Sequence, residues 1–301
     1  MVEKIEIQSM ELTNGPIRFI LRWLYFLMIP LMACSTSDNS GNALPSNSPV
    51  TGTPDPVTNR DWFMPAVGTT WQWQLTGEIN TQYDASMYDI DLDNAPSAIA
   101  ALHTQGKKVI CYFSAGSYED FRDDASQFPK SVLGKTLDGY PDERWLDIRS
   151  PAVLSLMLAR MDQAVVKGCD GIEPDNVAGY VNNSGFDLTA VDQLRYNENI
   201  ANAAHERNLA VALKNDLDQV AALVTYFDFA VNEQCHEYNE CDALQPFLDA
   251  GKAVFNAEYD GVYANDVGAR NALCQAATSQ HLSTLILPVG LDDSFRLGCG
   301  I

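Results

Sequence analysis

The chain has 301 residues, 46% of them apolar, and a net charge of −21 from 40 acidic and 19 basic side chains. That apolar share is ample for one large core, whereas the deficit of Lys and Arg argues against nucleic-acid binding, which needs clustered basic residues on phosphates. The charge suits solubility or, more specifically, a field that draws in a cationic substrate or partner.

The N-terminus reads as a targeting segment. Arg18 and Arg22 accompany the apolar runs FIL at 19–21 and WLYFLMIPLMA at 23–33, too short and too broken by Pro30 to predict a membrane span. The run closes on LMAC at 31–34, with Leu three before the cysteine and Ala just before it, and resembles a bacterial lipoprotein signal. This predicts a signal peptide over 1–33 and a mature chain starting at Cys34 with a membrane lipid anchor. Ser35 rather than Asp next to it favours the outer membrane. An ordinary secretory signal is the alternative, and the long leading region allows a start at Met10. Residues 34–60, rich in Ser, Asn, Thr, Gly and Pro, read as a flexible tether ahead of a folded domain over 61–301.

Seven cysteines suit an exported protein. With Cys34 set aside for lipid, Cys235 with Cys241 and Cys274 with Cys299 are the preferred disulfides. Cys111 and Cys169, in or beside strands, could pair or stay as buried thiols.

From residue 71 short apolar runs alternate with amphipathic stretches. Strands are predicted at 71–75, 88–92, 109–113, 169–173, 210–214, 227–231, 253–257 and 284–288. Helices are predicted at 96–105, 151–167, 189–207, 216–225, 242–250 and 266–280. Pro96 opens the first helix and Gly106 closes it. Eight strands with intervening helices point to an α/β fold, a single-domain (β/α)₈ TIM barrel; a doubly wound open sheet is the runner-up. The link over 76–87 is too short for a full helix, so the first unit is irregular. The stretch 114–150 holds an extra candidate strand, WLDIR at 145–149.

A parallel barrel carries its site at the C-terminal ends of its strands. Those ends bear Asp89 and Asp91, Ser114 and Gly116, Glu173, Asp175 and Asn176, Lys214 and Asn215, Asn232, Glu233 and Gln234, then Glu258 and Tyr259. Two apolar runs finish in carboxylates, DGIEPDN at 170–176 and VNEQC at 231–235. Burying an ionised carboxylate is costly unless it is paired, and a pair of acids on separate strands is what glycosidic hydrolysis uses. A single such acid is more often a helix cap. The histidines His103, His205, His236 and His281 lack metal-ligand spacing, and no glycine-rich phosphate loop appears, so neither metal nor cofactor is expected.

Five blocks carry a resemblance: VICYFSAGSYEDFR at 109–122, WLDIRSP at 145–151, GCDGIEPDNVAGY at 168–180, ALKND at 212–216 and VNEQCHEYNECDAL at 231–244. In this order they resemble glycoside hydrolase family 114, the endo-α-1,4-polygalactosaminidases. The resemblance spans about Trp71 to Cys299 and implies a (β/α)₈ barrel with catalytic carboxylates at Asp175 and Glu233. It further implies sugar contacts at Tyr112, Glu173, Asn176, Lys214, Asn232 and Tyr259. One position departs: Ala178 follows EPDNV where an acid is expected, which bears on a peripheral substrate contact. The implied mechanism is retaining, with Asp175 as nucleophile by analogy with α-acting barrels that keep it after the fourth strand, and Glu233 as acid/base. The reverse assignment stays open. Lys214 would hold Asp175 ionised, or serve only as a salt bridge lining the barrel.

The implied partner is a cationic amino-sugar polysaccharide. The acids Asp84, Asp89, Asp91, Glu119, Asp147 and Glu258 are candidates to line an attracting groove, and Trp71, Trp73, Tyr83, Tyr112 and Tyr180 to stack on sugars. A monomer is expected. Two competing readings are a non-catalytic surface lipoprotein that binds such polymers, and a hydrolase of a related, partly acetylated polymer.

Overall fold

A computed structural model describes residues 55–57, 61–93 and 96–300. The predicted signal over 1–33, Cys34 and most of the tether lie outside the described residues. Within the tether, Asp55 and Val57 are held by backbone hydrogen bonds to the Asn202 side chain at 3.2 and 3.1 Å.

Eight parallel strands form the barrel wall: β1 (Trp71–Gln74), β2 (Met87–Asp91), β3 (Lys108–Ser114), β7 (Gly171–Asp175), β8 (Ala210–Lys214), β9 (Phe229–Glu233), β10 (Val254–Glu258) and β11 (Ser283–Ile286). They pair in that order, and β12 (Leu297–Gly298) adds an antiparallel edge to β11. Side chains link the first and last wall strands. The Trp71 indole donates to the Ser283 carbonyl at 2.9 Å, and the Ser283 hydroxyl donates to the Thr69 carbonyl at 3.1 Å. This is the (β/α)₈ arrangement, and the open doubly wound alternative is set aside. All eight strands lie within a few residues of their predicted places.

The crossovers are α1 (Pro96–Thr104), α2 (Pro151–Lys167), α3 (Ala190–His205), α4 (Val220–Leu223), α5 (Gln245–Asp249), α6 (Gly261–Asn265) and α7 (Val267–Ser279). Local chemistry sets their ends. Pro151 opens α2 and left-handed Gly168 closes it. Thr189 and Asp192 form a reciprocal capping box on α3. α4 and α5 are shorter than their predicted stretches because 3₁₀ turns occupy 217–219 and 241–244. Residues 76–86 form turns with no helix, as the short link requires.

Period-two alternation divides each strand. Trp71, Trp73, Met87, Ile110, Ala212, Phe229, Val231, Phe255, Ala257 and Leu285 form the barrel core, and the other face packs on the helices. The stretch 114–150 differs from expectation. It carries a three-stranded antiparallel sheet of β4 (Ser117–Glu119), β5 (Leu133–Leu137) and β6 (Tyr140–Leu146) in the order β4-β6-β5. The single strand predicted at 145–149 starts and ends earlier, at 140–146, because Asp147 turns the chain toward α2.

Both preferred disulfides form, Cys235–Cys241 and Cys274–Cys299, the latter tying α7 to the C-terminus. Cys111 and Cys169 also pair, joining β3 to the start of β7. No helix among the described residues is long and apolar enough to cross a membrane.

Candidate active site

The ends of β3, β7, β8 and β9 bring Tyr112, Asp175, Lys214 and Glu233 to one mouth of the barrel. There they line a cavity of about 790 Å³ with Trp73, Asp91, Glu119, Tyr140, Glu143 and Asn176. Strands β7, β8 and β9 stop abruptly because the residue after each takes left-handed backbone. Asn176, Asn215 and Gln234 have φ of 60°, 50° and 62°, a region asparagine tolerates better than most residues. The turn after β3 approaches so closely that a Cβ on Gly116 would lie 1.8 Å from the Asn176 carbonyl oxygen. Only glycine fits there.

Lys214 is the centre of the site. Its Nζ lies 3.1 Å from Glu173 Oε1, 3.3 Å from Asp175 Oδ1 and 3.3 Å from Glu233 Oε2. It also sits over the Trp73 ring, 4.7 Å from the centroid. Burial opposes its charge, but Asp175, Glu173 and Glu233 outweigh burial and hold its pKa well above the usual lysine value. Lys214 therefore stays charged through the neutral range.

Each outer carboxylate has its own positioning partners. The Tyr112 hydroxyl donates to Asp175 Oδ2 at 3.1 Å, and the Asn176 amide donates to Oδ1 at 2.6 Å. The Tyr259 hydroxyl donates to Glu233 Oε1 at 2.6 Å, and Asn215 Nδ2 donates to Oε2 at 3.3 Å. Burial, reinforced by Asp175 at Tyr112 and by Glu233 at Tyr259, holds both phenols well above their usual pKa, so both remain donors.

Beneath them lies a second acidic pair. Glu173 and Asp89 are fully buried. Burial pushes both upward; the charge of Glu173 adds to the rise at Asp89, and burial with Asp175 nearby outweighs Lys214 to raise Glu173 to about 7, so together they retain a proton near neutrality. Glu173, expected as a sugar contact or a support, is thus a support under Lys214 and does not line the cavity. Asn232 is likewise corrected. It alternates to the face opposite Glu233, is 1% exposed, and donates to Asn215 Oδ1 at 3.1 Å. It reaches the site only through Asn215, whose Oδ1 also accepts from the Glu233 amide at 3.0 Å.

Among the predicted groove acids, Asp91 and Glu119 line the cavity. Both are bound by Arg122, at 2.7 and 2.8 Å. Glu258 is buried and accepts from the His236 amide, Asp147 pairs with Arg149, and Asp84 is exposed away from the cavity. Of the predicted stacking aromatics, Trp73 and Tyr112 line the cavity. Trp71 belongs to the core, and Tyr83 bonds Asp293. Tyr140 and Glu143, on the inserted β6, were missed, as was the role of Asn215. Asn215 could have been found from its parallel with Asn176, one residue past a strand end. A second cavity of about 410 Å³ continues past Tyr140, sharing Leu137, Asn176 and Lys214 with the first and adding Trp145, Ala178, Asn182 and Asn183. Among the described residues, one cluster has metal-ligand composition: Cys235, His236 and Cys241. Its two sulfurs are bonded to each other and offer no thiolate.

A (β/α)₈ barrel with two positioned carboxylates on a shared cation at the strand ends defines a glycoside-hydrolase architecture. The model of glycoside-hydrolase family GH114 matches residues 52–300, and the chain belongs to that family. Among solved structures, the chain is similar to Ega3 of Aspergillus fumigatus in complex with galactosamine. The identity is 44% and the TM-score 0.75, over 80% of this chain and 99% of that one. It also shares its fold with the glycoside hydrolase domain of PelA from Pseudomonas aeruginosa. There the identity is 12% and the TM-score 0.59, over 78% of this chain and 98% of that one. No curated protein matches.

Proposed function

We propose that this chain is an endo-acting hydrolase of α-1,4-linked galactosamine polysaccharide, working by retention with Asp175 as nucleophile and Glu233 as acid/base. The observation that carries the reading is the shared cation: Asp175 Oδ1 and Glu233 Oε2 each lie 3.3 Å from Lys214 Nζ. Those two oxygens are therefore no farther apart than twice 3.3 Å. That ceiling, for the two oxygens that share Lys214, accommodates the roughly 5–5.5 Å spacing of a retaining pair and reaches only the lower edge of the roughly 6.5–9.5 Å of an inverting pair that must hold water between its acids.

In this reading Asp175 attacks the anomeric carbon while Glu233 protonates the departing oxygen. The glycosyl ester on Asp175 then breaks as Glu233 takes a proton from the attacking water. Lys214 pairs with Asp175 at 3.3 Å and offsets the charge of the attacking carboxylate. Tyr112 and the Asn176 amide fix the attacking carboxylate, and Tyr259 and Asn215 fix the acid/base. The two contiguous cavities support cleavage within a chain rather than at its end. The galactosamine bound to Ega3 supports the sugar, and the net charge of −21 supports a cationic polymer steered in by the field.

The test incubates the exported domain with de-acetylated galactosamine polymer and follows oligosaccharide release and the anomeric configuration of the first product. Retention of the α-anomer is expected, with loss of activity in Asp175→Asn and Glu233→Gln. Activity surviving in both variants would end the two-carboxylate account. We also propose export with a lipid anchor at Cys34, supported by LMAC and by three disulfides. Its test is fatty-acid labelling of the expressed chain, expected to vanish in Cys34→Ala with release from the membrane fraction.

A further inference from the structure

The acids around the main cavity differ in what holds them. Arg122 pairs with Asp91, Asp93 and Glu119. Lys214 pairs with Asp175 and Glu233. Asp123 is exposed at the rim. Glu143 is different: it is half-buried, lines the same cavity, and has no cation within ion-pairing distance among the described residues. It comes from β6 of the inserted sheet, outside the barrel wall that supplies the reacting groups.

Glu143 is nonetheless fixed. Its Oε2 accepts from the Ser117 hydroxyl at 2.6 Å. Ser117 and Ser114 hydroxyls lie 2.5 Å apart, and Asn176 Nδ2 donates to Ser114 at 2.9 Å and Ser117 at 3.3 Å. The same Asn176 donates its backbone amide to Asp175. A buried hydroxyl–amide chain therefore sets the Glu143 carboxylate in register with the attacking carboxylate, while Oε1 has no hydrogen-bond partner among the described residues. Burial, with Glu119 and Asp175 nearby, pushes Glu143 up to about 7 despite the Ser117 hydrogen bond. An arriving cation relieves that cost.

We propose that Glu143 is the specificity residue of this site, receiving the C2 ammonium of a galactosamine unit through its free carboxylate oxygen. The assignment rests on the galactosamine reading above. An ammonium supplies the missing charge and up to three donors, whereas an N-acetyl group supplies no charge and adds bulk against a half-buried carboxylate. Selectivity for the de-acetylated unit would then reside on the inserted sheet, and bond cleavage on the barrel.

The experiment compares wild type, Glu143→Gln and Glu143→Asp on de-acetylated α-1,4-galactosamine oligomers and on the same oligomers after N-acetylation. It also measures inhibition by free galactosamine and free galactose. For Glu143→Gln the expected loss falls on KM for the de-acetylated oligomers, about tenfold or more, the scale of one charge-assisted hydrogen bond. Galactosamine should then inhibit no better than galactose, and Glu143→Asp should recover part of the difference. A KM and a galactosamine preference unchanged in Glu143→Gln, or equal losses on both oligomers, would overturn the assignment while leaving the galactosamine reading intact. Wild type that cleaves neither oligomer would overturn both.

Discussion

Replacing Lys214 with methionine tests the centre of the site. Methionine keeps an unbranched stem of similar bulk, but it removes the ammonium over Trp73 and leaves three carboxylates without their cation. Each lysine–carboxylate pair, at 3.1 to 3.3 Å, has a gross attraction of about 5 kcal/mol at an effective dielectric near 20. Asp175 and Glu233 are part-exposed and regain water, whereas Glu173 has none to regain. The net cost is that of breaking a buried pair, about 3–5 kcal/mol. Losing a nearby cation disfavours the ionised carboxylates, so the acid limb of the kcat/KM profile should move upward. Because Asp175 regains water, its share of the loss is about 1–2 kcal/mol, and at about 1.4 kcal/mol per pH unit this moves the limb by about 1 unit. Because Lys214 is held well above the usual lysine value, its contribution in wild type is fully present below that value and lost only as pH rises into the strongly alkaline range. The Lys214 contribution in wild type is therefore constant across the assay. The variant should be less stable at pH 8 and recover as carboxylates take up protons toward pH 5. Profiles of kcat/KM from pH 4 to 9, with melting curves at both ends, check this. An unmoved acid limb in a variant with native Tm would refute the role given to Lys214.

Gly116→Ala should lower Tm and activity together, by about 1–3 kcal/mol or more in stability, because its Cβ meets the Asn176 carbonyl; melting curves and initial rates check it. Tyr259→Phe removes the 2.6 Å hydrogen bond to Glu233 and should lower kcat about 10-fold or more, with little change in Tm. Asp216 is pushed up to about 7 by burial. Its contribution is thus fully present below its unfolded pKa near 4 and lost as pH rises through about 7. Asp216→Asn, which suits the left-handed backbone there (φ 47°), should stabilise the fold by on the order of 3 kcal/mol at pH 8 and by little at pH 4. Denaturant melts at the two pH values read the difference.

Much of the architecture was legible. Apolar runs bounded by turn residues located all eight wall strands, since a strand buried on both faces must read as continuous hydrophobicity. Alternation also carried more than was drawn from it: with Glu233 facing inward, Asn232 had to face outward. The shorter α4 and α5 escaped because 3₁₀ turns share the apolar spacing of a helix start. Glu143 escaped because it sits in YPDER, a polar stretch of the insertion with no strand-end pattern. Asp91 and Glu119 looked like open groove acids because Arg122, which binds both, lies 31 residues beyond the first.

The order of strands and helices, the acids at the ends of β7 and β9, and two of the three disulfides follow from local pattern and spacing in the sequence by itself. Only the tertiary structure decided that Cys111 meets Cys169. It also decided that Glu173 supports Lys214 from below, that Arg122 binds the acids near it, and that Glu143 faces the cavity without a cation. The physical reason is one of range. Hydrophobic periodicity is written along the chain, but the state of a carboxylate depends on the groups within a few ångströms of it, and in a barrel those come from strands far apart in sequence.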